Sequence, residues 1–156
     1  MTKKKPTKTK SVPIEDYAYL SDTQSGALVS RDGSVDWLCL PRFDSGACFA
    51  ALLGTEENGC WRFTSKGRIK RRARRYRGDS MILETEVETA EGRIRFIDFM
   101  PPRGTNPDLV RIVEGLDGKV TLRMDLIRRL ASGSDHAWAG ARPGRRRGTA
   151  SPGTPG

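Results

Sequence analysis

The chain has 156 residues and a formal net charge of +9, a length that fits one domain with a modest core. It has no apolar run of about 18 residues or more, which predicts that no segment spans a membrane. The lysine-rich start is not followed by the apolar stretch of a secretory signal. These features predict a cytoplasmic protein.

The positive charge lies at the two ends of the sequence. Residues 1–12 contain five lysines and no acidic residue, and residues 128–156 contain six arginines and one aspartate. Residues 13–127 hold 17 basic and 18 acidic side chains, so the body of the chain is nearly neutral. The tails therefore predict at most weak polyanion binding, and the whole-chain charge is poor evidence for nucleic-acid binding.

Residues 1–11 form a basic tail that lacks apolar side chains and is predicted to be disordered. The first structural signal follows at residues 27–39, where two alternating apolar runs flank Asp32-Gly33. An Asp-Gly pair tolerates the positive φ of a tight turn, so this segment predicts a β-hairpin. Pro41 ends the second strand, because proline cannot donate to a sheet ladder.

Further along the chain, a period of two predicts more strands. Residues 81–89 and 93–100 form a second predicted hairpin, and residues 109–116 and 119–127 form a third one around Asp117-Gly118. One short helix is predicted near residues 46–53. The pattern predicts a mainly β protein built as an antiparallel β-sandwich, with one short helix and disordered basic tails.

After Ile127 the sequence changes character. Residues 128–156 contain six Gly, six Arg, five Ala and three Pro, with no strand or helix period. Two explanations are open: a natural low-complexity tail, and out-of-frame reading of a GC-rich gene. The second is favoured, because the break interrupts an organised domain.

The cysteines and the single histidine predict no special chemistry. Cys39, Cys48 and Cys60 are odd in number and lack a CxxC spacing, and His136 lies in the aberrant tail. We expect reduced, mostly buried thiols. No metal site and no cofactor are predicted.

Several motifs appear in a defined order between residues 12 and 127. They are PIEDY at 13–17, GALVSRDGSVDWLCLPRFDS at 26–45, ACFAALLG at 47–54, YRGD at 76–79, LET at 83–85, IDFMPPR at 97–103 and LVRIV at 109–113. This series resembles the trehalase-like N-terminal domain of glycoside hydrolase family 15, which contains trehalases and glucoamylases. The resemblance implies a β-sandwich, incomplete in this chain at residues 12–127, and a separate catalytic (α/α) barrel as its partner.

Two sets of charged residues are candidates for chemistry. Glu84, Glu86 and Glu88 alternate on one strand face, and are expected to form a solvated face rather than a catalytic pair. A run of eight cations from Lys66 to Arg77 contains no acid. It is interpreted either as an anion or RNA site or, preferably, as a charged edge strand that resists aggregation. The anion-binding candidates are Arg71, Arg72, Arg74 and Arg75.

The loop after the first hairpin supplies the remaining candidates. In the resembling family this loop forms part of the face turned toward the catalytic domain, so Trp37, Arg42, Phe43 and Asp44 are candidates for a domain interface or a substrate rim. Arg42 and Asp44 are expected to pair across the tight turn, anchored by Phe43 and Trp37. Structural support is favoured over direct sugar contact.

The functional prediction is a non-catalytic N-terminal portion of a family 15 glycoside hydrolase. No position matches the family's catalytic glutamates, so no catalytic residue is assigned and the chain alone is predicted to be inactive and poorly stable. The resemblance implies trehalose as the parent substrate, followed by maltodextrin-type glucans. The alternative is a small basic protein that binds nucleic acids or anions.

Overall fold

The computed structural model describes residues 12–128 and the backbone of a strand at Arg146–Ala150. Two antiparallel sheets pack face to face, which confirms the predicted mainly β, incomplete sandwich. The strands are β1 Ala18–Ser21, β2 Gly26–Val29, β3 Val35–Cys39, β4 Ala47–Phe49, β5 Cys60–Ser65, β6 Ile69–Tyr76, β7 Leu83–Thr89, β8 Gly92–Phe99, β9 Val110–Gly118, β10 Val120–Ile127 and β11 Arg146–Ala150.

The two sheets differ in size. The larger sheet has seven strands in the order β1-β2-β3-β5-β10-β11, with β4 paired to β3. The smaller sheet has four strands in the order β6-β7-β8-β9. Short 3-10 helices at Ile14–Asp16, Ala51–Leu53 and Glu56–Asn58 complete the secondary structure of residues 12–128. In the part of the chain that the structure describes, no helix is long and apolar enough to cross a membrane.

Two of the predicted hairpins are confirmed. β2 and β3 pair around a turn in which Gly33 has φ +78°, the conformation that Asp32-Gly33 predicted. β7 and β8 pair in continuous register from Leu83 opposite Asp98 to Glu88 opposite Arg93. In both cases the local turn signal and the period of two agree with the tertiary structure.

The third predicted hairpin is wrong. β9 pairs with β8 in the small sheet, whereas β10 pairs with β5 in the large one. Gly118, with φ +62°, carries the chain from one sheet to the other, and a Cβ there would overlap the carbonyl oxygen of Glu91. Lys119 donates its backbone N–H to that oxygen at 3.0 Å. The Asp117-Gly118 turn is therefore a crossover packed on the β7–β8 turn.

The segment near residues 46–53, where one short helix is predicted, is divided between the three-residue strand β4 and a three-residue 3-10 turn. β4 places Phe49 opposite Leu38, where its ring is buried, and only the single 3-10 turn Ala51–Leu53 follows before Gly54. The apolar ring gains more from burial in the sheet than the alanines gain from helix propensity. The prediction for residues 1–11, and that for the tail except β11, lie outside the described residues. In the tail, β11 pairs with β10 despite the absence of a strand period.

The core consists of two clusters between the sheets. One joins β1–β3 to the ends of β7 and β8, and its members are Ala18, Leu20, Ala27, Val29, Val35, Leu38, Phe49, Leu83 and Met100. The other joins β10 to the middle of the small sheet, and its members are Val87, Ile94, Phe96, Val120 and Leu122. β8 therefore packs on opposite parts of the large sheet at its two ends.

A buried ion pair lies between the two clusters. Asp98 on β8 and Arg111 on β9 are each 1% exposed, and Nε of Arg111 lies 2.8 Å from Oδ1 of Asp98. Arg111 also donates to the carbonyl oxygens of Trp61 at 2.7 Å and Gly33 at 2.6 Å in the other sheet. Its guanidinium lies 5.4 Å from the ring centroids of Trp61 and Phe63. One side chain thus links both sheets.

Replacing Arg111 by methionine should lower the free energy of unfolding by about 3–5 kcal/mol, because it leaves the buried carboxylate of Asp98 without its partner. Urea unfolding followed by tryptophan fluorescence measures this loss. Arg31→Met is the matched control, since Arg31 pairs with Asp16 on the surface and should cost less than about 1 kcal/mol. Equal losses in the two variants would contradict the proposed importance of the buried pair.

Candidate functional site

Three loops meet at one end of the sandwich and form what we term the loop surface: residues 22–25, 40–46 and 100–109. The backbone N–H of Phe43 donates to the carbonyl oxygen of Gln24 at 3.1 Å, which joins the first two loops. Nε of Arg103 donates to Asp22 at 2.9 Å, which joins the third loop to the first. These contacts hold three distant segments of sequence in one fixed surface.

Asp22 is the anchor of the loop surface. Its Oδ1 accepts the backbone N–H groups of Gln24 at 2.9 Å and Ser25 at 2.7 Å, while its Oδ2 faces Nη2 of Arg103 at 2.8 Å. The turn forces Thr23 to a φ of +74°, a conformation that costs energy in a residue other than glycine. The side chains of Asp22 and Arg103 are both buried.

The charge on Asp22 is stabilised by these contacts. Burial by itself raises the pKa of a carboxyl group. In Asp22 the backbone hydrogen bonds from Gln24 and Ser25, together with the hydrogen bond and charge of Arg103, outweigh burial and lower the pKa below its usual value. The loop surface is therefore built around an ionised carboxylate.

The loop between β3 and β4 presents Phe43 to solvent. Arg42 accepts the backbone N–H of Ser45 at its carbonyl oxygen and donates its own N–H to Oγ of Ser45, both at 3.1 Å. Arg42 and Asp44 form the expected ion pair, at 3.4 Å between Nε and Oδ1, and both are largely exposed. Phe43 is 55% exposed between them, so it does not anchor the turn. An exposed aromatic side chain on a rigid loop is typical of a contact site.

Trp37 lies apart from this loop surface. It is on β3, opposite Leu28 of β2, which in turn lies opposite Tyr19 of β1. Cross-strand partners share a face, so these three side chains form a row on the outer face of the large sheet. Of the four predicted residues, the structure brings together Arg42, Phe43 and Asp44 and leaves Trp37 separate.

On one face of β6, the predicted arginine run bonds to the large sheet. Arg72 pairs with Asp32, and Nη1 of Arg74 donates to the carbonyl oxygens of Asp16 at 3.1 Å and Val29 at 3.2 Å. The hydroxyl of Tyr76 accepts the N–H of Tyr19 at 2.9 Å and donates to its carbonyl oxygen at 3.0 Å. These alternate residues close the side of the sandwich where β6 meets β1.

On the opposite face of β6, arginines cover a buried carboxylate. Glu84 is 5% exposed and lies 2.6 Å from Arg77 and 2.9 Å from Arg75. Hydrogen bonds from Arg77 and then Arg75 lower its pKa below the usual value. The expectation of a solvated glutamate face is therefore wrong for Glu84. The period of two along a strand tells which face of the sheet a side chain lies on, but it does not tell which other side chains bury it.

Three of the four anion-binding candidates already have partners within the fold. Arg72, Arg74 and Arg75 bond to Asp32, to main-chain carbonyls and to Glu84, as described above, while Arg71 is exposed opposite Glu88. Anion binding by this run stays a prediction. A cavity of about 40 Å³ between Arg71, Arg93, Glu86 and Glu88 has the volume of roughly one water molecule, far too small for a disaccharide.

A comparison with protein families identifies the family of this chain. The profile described as trehalase-like, N-terminal matches residues 6–133. The chain belongs to this family. Members of the quoted motifs occupy the positions that hold the domain together: Asp98 and Arg111 form the buried pair between the sheets, and Arg103 binds Asp22. No solved structure is similar enough to count as a match.

Individual relatives are trehalases. The chain is 45% identical to the trehalase of Mycobacterium tuberculosis over 80 residues, which is 51% of this chain and 12% of that protein. It is 31% identical to trehalase 2 of Sulfolobus acidocaldarius over 99 residues, 64% of this chain and 16% of that protein. It is 27% identical to the trehalase of Thermoplasma volcanium over 118 residues, 72% and 19% respectively. The chain thus spans less than a fifth of these relatives.

Sequence reasoning missed the Asp22–Arg103 anchor. The two residues are 81 positions apart, and no periodicity connects loops that far apart. The available signal was local. Asp22 lies two residues before Gln24 and three before Ser25, a spacing that fits an Asx turn, in which the aspartate orders a loop through the loop's own backbone.

The Asp22→Asn variant should be less stable than the parent near neutral pH and should lose less stability in acid. Because the pKa of Asp22 is lower in the folded chain, the unfolded chain binds more protons below about pH 4. The stability that ionised Asp22 contributes is therefore present above that pH and is lost as the pH falls. Thermal unfolding midpoints of the parent and the variant between about pH 6 and pH 3 measure this loss of stability with falling pH. Asp44→Asn, at an exposed aspartate of the same loop surface, is the matched control for the substitution, and a slope in Asp22→Asn as steep as that of the parent would contradict the assignment.

Proposed function

We propose that this chain is the N-terminal β-sandwich portion of a family 15 glycoside hydrolase of the trehalase and glucoamylase type, and that it serves as a non-catalytic partner of an (α/α) barrel domain. The observation that carries the proposal is the family match over residues 6–133, with matched motif residues at the buried ion pairs. The small share of each trehalase that the chain spans supports a division into domains.

The chemistry of the described residues also supports a non-catalytic role. Glycoside hydrolysis needs two carboxyl groups on either side of a bound sugar, one of them able to donate a proton. Glu84 is instead held ionised by two arginines, and Glu86 is paired with Arg95 at 2.8 Å. Carboxylates committed to arginines in this way stabilise a sheet and are poor proton donors.

The loop surface is the proposed site of contact with the catalytic domain, with Phe43 as its apolar centre and Arg42 and Asp44 beside it. A rigid, exposed aromatic side chain loses little conformational entropy when it is buried by a partner. Trp37 is proposed as a second contact on the outer face of the large sheet. The parent substrate is proposed to be trehalose, with maltodextrin-type glucans as the second choice, and the enzyme is proposed to act in the cytoplasm.

The purified chain should release no glucose from trehalose, maltose or starch above a buffer blank. The physical reason is that Glu84 and Glu86 are ion-paired with arginines, and the cavity beside Glu86 and Glu88 is far too small for a sugar. A coupled glucose assay measures this. Turnover that persists through repurification and disappears in Glu84→Gln or Glu86→Gln would overturn the non-catalytic assignment.

The Phe43→Ala substitution should have a measurable effect only when the catalytic domain is present. In a chimaera where this chain's matched segment replaces that of the Mycobacterium tuberculosis trehalase, the variant should reduce trehalose turnover about tenfold, since burying half of a phenylalanine contributes about 1–1.5 kcal/mol. In the isolated chain it should leave thermal stability nearly unchanged. Leu53→Ala, at a more exposed apolar residue, is the matched control and should be silent in both settings. Equal effects of the two substitutions on the chimaera would contradict a domain contact at Phe43.

A further inference from the structure

The three cysteines of the chain are free thiols that differ in position and in exposure. Cys39 is the last residue of β3 and is 4% exposed, and Cys60 is the first residue of β5 and is 1% exposed. Cys48 is the central residue of β4 and is half-buried. Two of the three, Cys39 and Cys48, therefore lie on strands that pair with each other.

The register of β3 and β4 brings Cys39 and Cys48 to the same face of the large sheet. Leu38 lies opposite Phe49, and both side chains belong to a core cluster between the sheets. Cys39 directly follows Leu38, and Cys48 directly precedes Phe49. Successive side chains of a strand point to opposite faces, so both thiols lie on the outer face. Cys39 is buried there without belonging to either core cluster.

A bulge in β4 keeps the two cysteines next to each other. The register shifts so that Cys39 lies opposite Ala47, and Cys48 is the additional residue on the bulged strand. Neighbouring strands lie about 4.8 Å apart, and one residue along a strand adds about 3.4 Å. These spacings place the Cα atoms of Cys39 and Cys48 roughly 6 Å apart, within the range of about 4.4–6.8 Å that disulfides use.

The ionisation of the two thiols agrees with this proximity. Burial raises the pKa of Cys39, and the charge of Cys48 raises it further. Burial also raises the pKa of Cys48, but a hydrogen bond from the backbone of Leu40 and the charge of Arg128 act in the opposite direction. Neighbours that stabilise a thiolate favour reaction at that sulfur. Cys48 is also the more exposed of the two, so it is the sulfur better placed to meet an oxidant from solvent.

We propose that Cys39 and Cys48 form a redox-sensitive dithiol pair, which hydrogen peroxide converts into a disulfide. The thiolate of Cys48 attacks one oxygen of the peroxide, the O–O bond breaks, and a sulfenic acid and one water form. The thiolate of Cys39 then attacks the sulfur of the sulfenic acid, the S–O bond breaks, and a second water leaves. The two thiols lose two protons and two electrons, and one peroxide becomes two waters.

The disulfide would join the two ends of the loop that presents Phe43. That loop, residues 40–46, is part of the loop surface and is already tied to Gln24 by the backbone of Phe43. A covalent link across the ends of a loop restricts the conformations that the loop can adopt. A disulfide that forms on oxidation and is later reduced is of the transient kind found in reducing compartments. The pair therefore couples oxidation to the ordering of the loop surface.

Cys60 lies too far along the sheet to react with Cys39. β5 pairs with β3 at Trp61 opposite Val35, and an antiparallel register then places Cys60 opposite position 36. That position is three residues from Cys39, about 10 Å along the strand, which exceeds the reach of a disulfide. Cys60→Ser is therefore the matched control for substitutions in the pair.

The test oxidises the reduced, folded full chain with a small excess of hydrogen peroxide, blocks the remaining thiols with N-ethylmaleimide and maps the cysteines by mass spectrometry. Cleavage after Arg42 separates Cys39 from Cys48, and cleavage after Glu57 separates Cys48 from Cys60. The link between Cys39 and Cys48 should exceed any link to Cys60 about tenfold or more, and dithiothreitol should remove it. Cys60→Ser should form this link like the parent, whereas Cys48→Ser should leave Cys39 as a free thiol.

Oxidation in urea separates the effect of the fold from closeness in sequence. Cys39 and Cys48 are 9 positions apart, and Cys48 and Cys60 are 12 apart, so an unfolded chain should form these two links within about twofold of each other. The same ratio in the folded parent would overturn the proposal. A predominant link to Cys60 or between two chains would also overturn it, as would oxidation of Cys48 to a sulfinic acid without any link. The comparison of folded and unfolded parent decides the proposal even where a variant is unstable.

Discussion

The pairing of Arg111 with Asp98 is the interaction on which the sandwich depends. A buried charge costs several kcal/mol unless it is paired and its remaining donors are satisfied, and Arg111 meets both conditions by reaching across to the carbonyl oxygens of Trp61 and Gly33. The same guanidinium lies against the rings of Trp61 and Phe63. Because its partners lie on both sheets, the pair fixes the position of β9 relative to β5 and to the β2–β3 turn, which apolar packing alone specifies less sharply.

Arginine is used in the same way elsewhere in the fold. Arg103 joins two loops through Asp22, and Arg74 joins β6 to the backbone of the large sheet. A planar guanidinium with five donors suits this role, since it can satisfy several carbonyl oxygens from one side chain. Several cations of residues 13–127 are thus paired with acidic side chains of the same stretch, which is nearly neutral overall.

Features set by neighbouring residues could be predicted from the sequence, whereas burial and strand pairing set by distant segments could not. The turn at Asp32-Gly33 and the Arg42–Asp44 pair could be predicted because their determinants lie within a few residues. The same Asp-Gly signal failed at Gly118, since a turn signal does not tell whether the next strand joins the same sheet or crosses to the other. The prediction for Glu84 was wrong because a period of two assigns a face, whereas its burial depends on Arg75 of the neighbouring strand β6 and on Arg77 just after that strand.

The loop surface is continuous in sequence with strand β9. The loop at 100–109, which carries Arg103, leads directly into Val110, the first residue of β9. The buried pair of Asp98 and Arg111 joins the two ends of this loop, and Arg103 within the loop binds Asp22. The buried pair of Asp22 and Arg103 therefore lies beneath the proposed contact surface, so the ordering of that surface is completed by folding and does not have to be supplied on association.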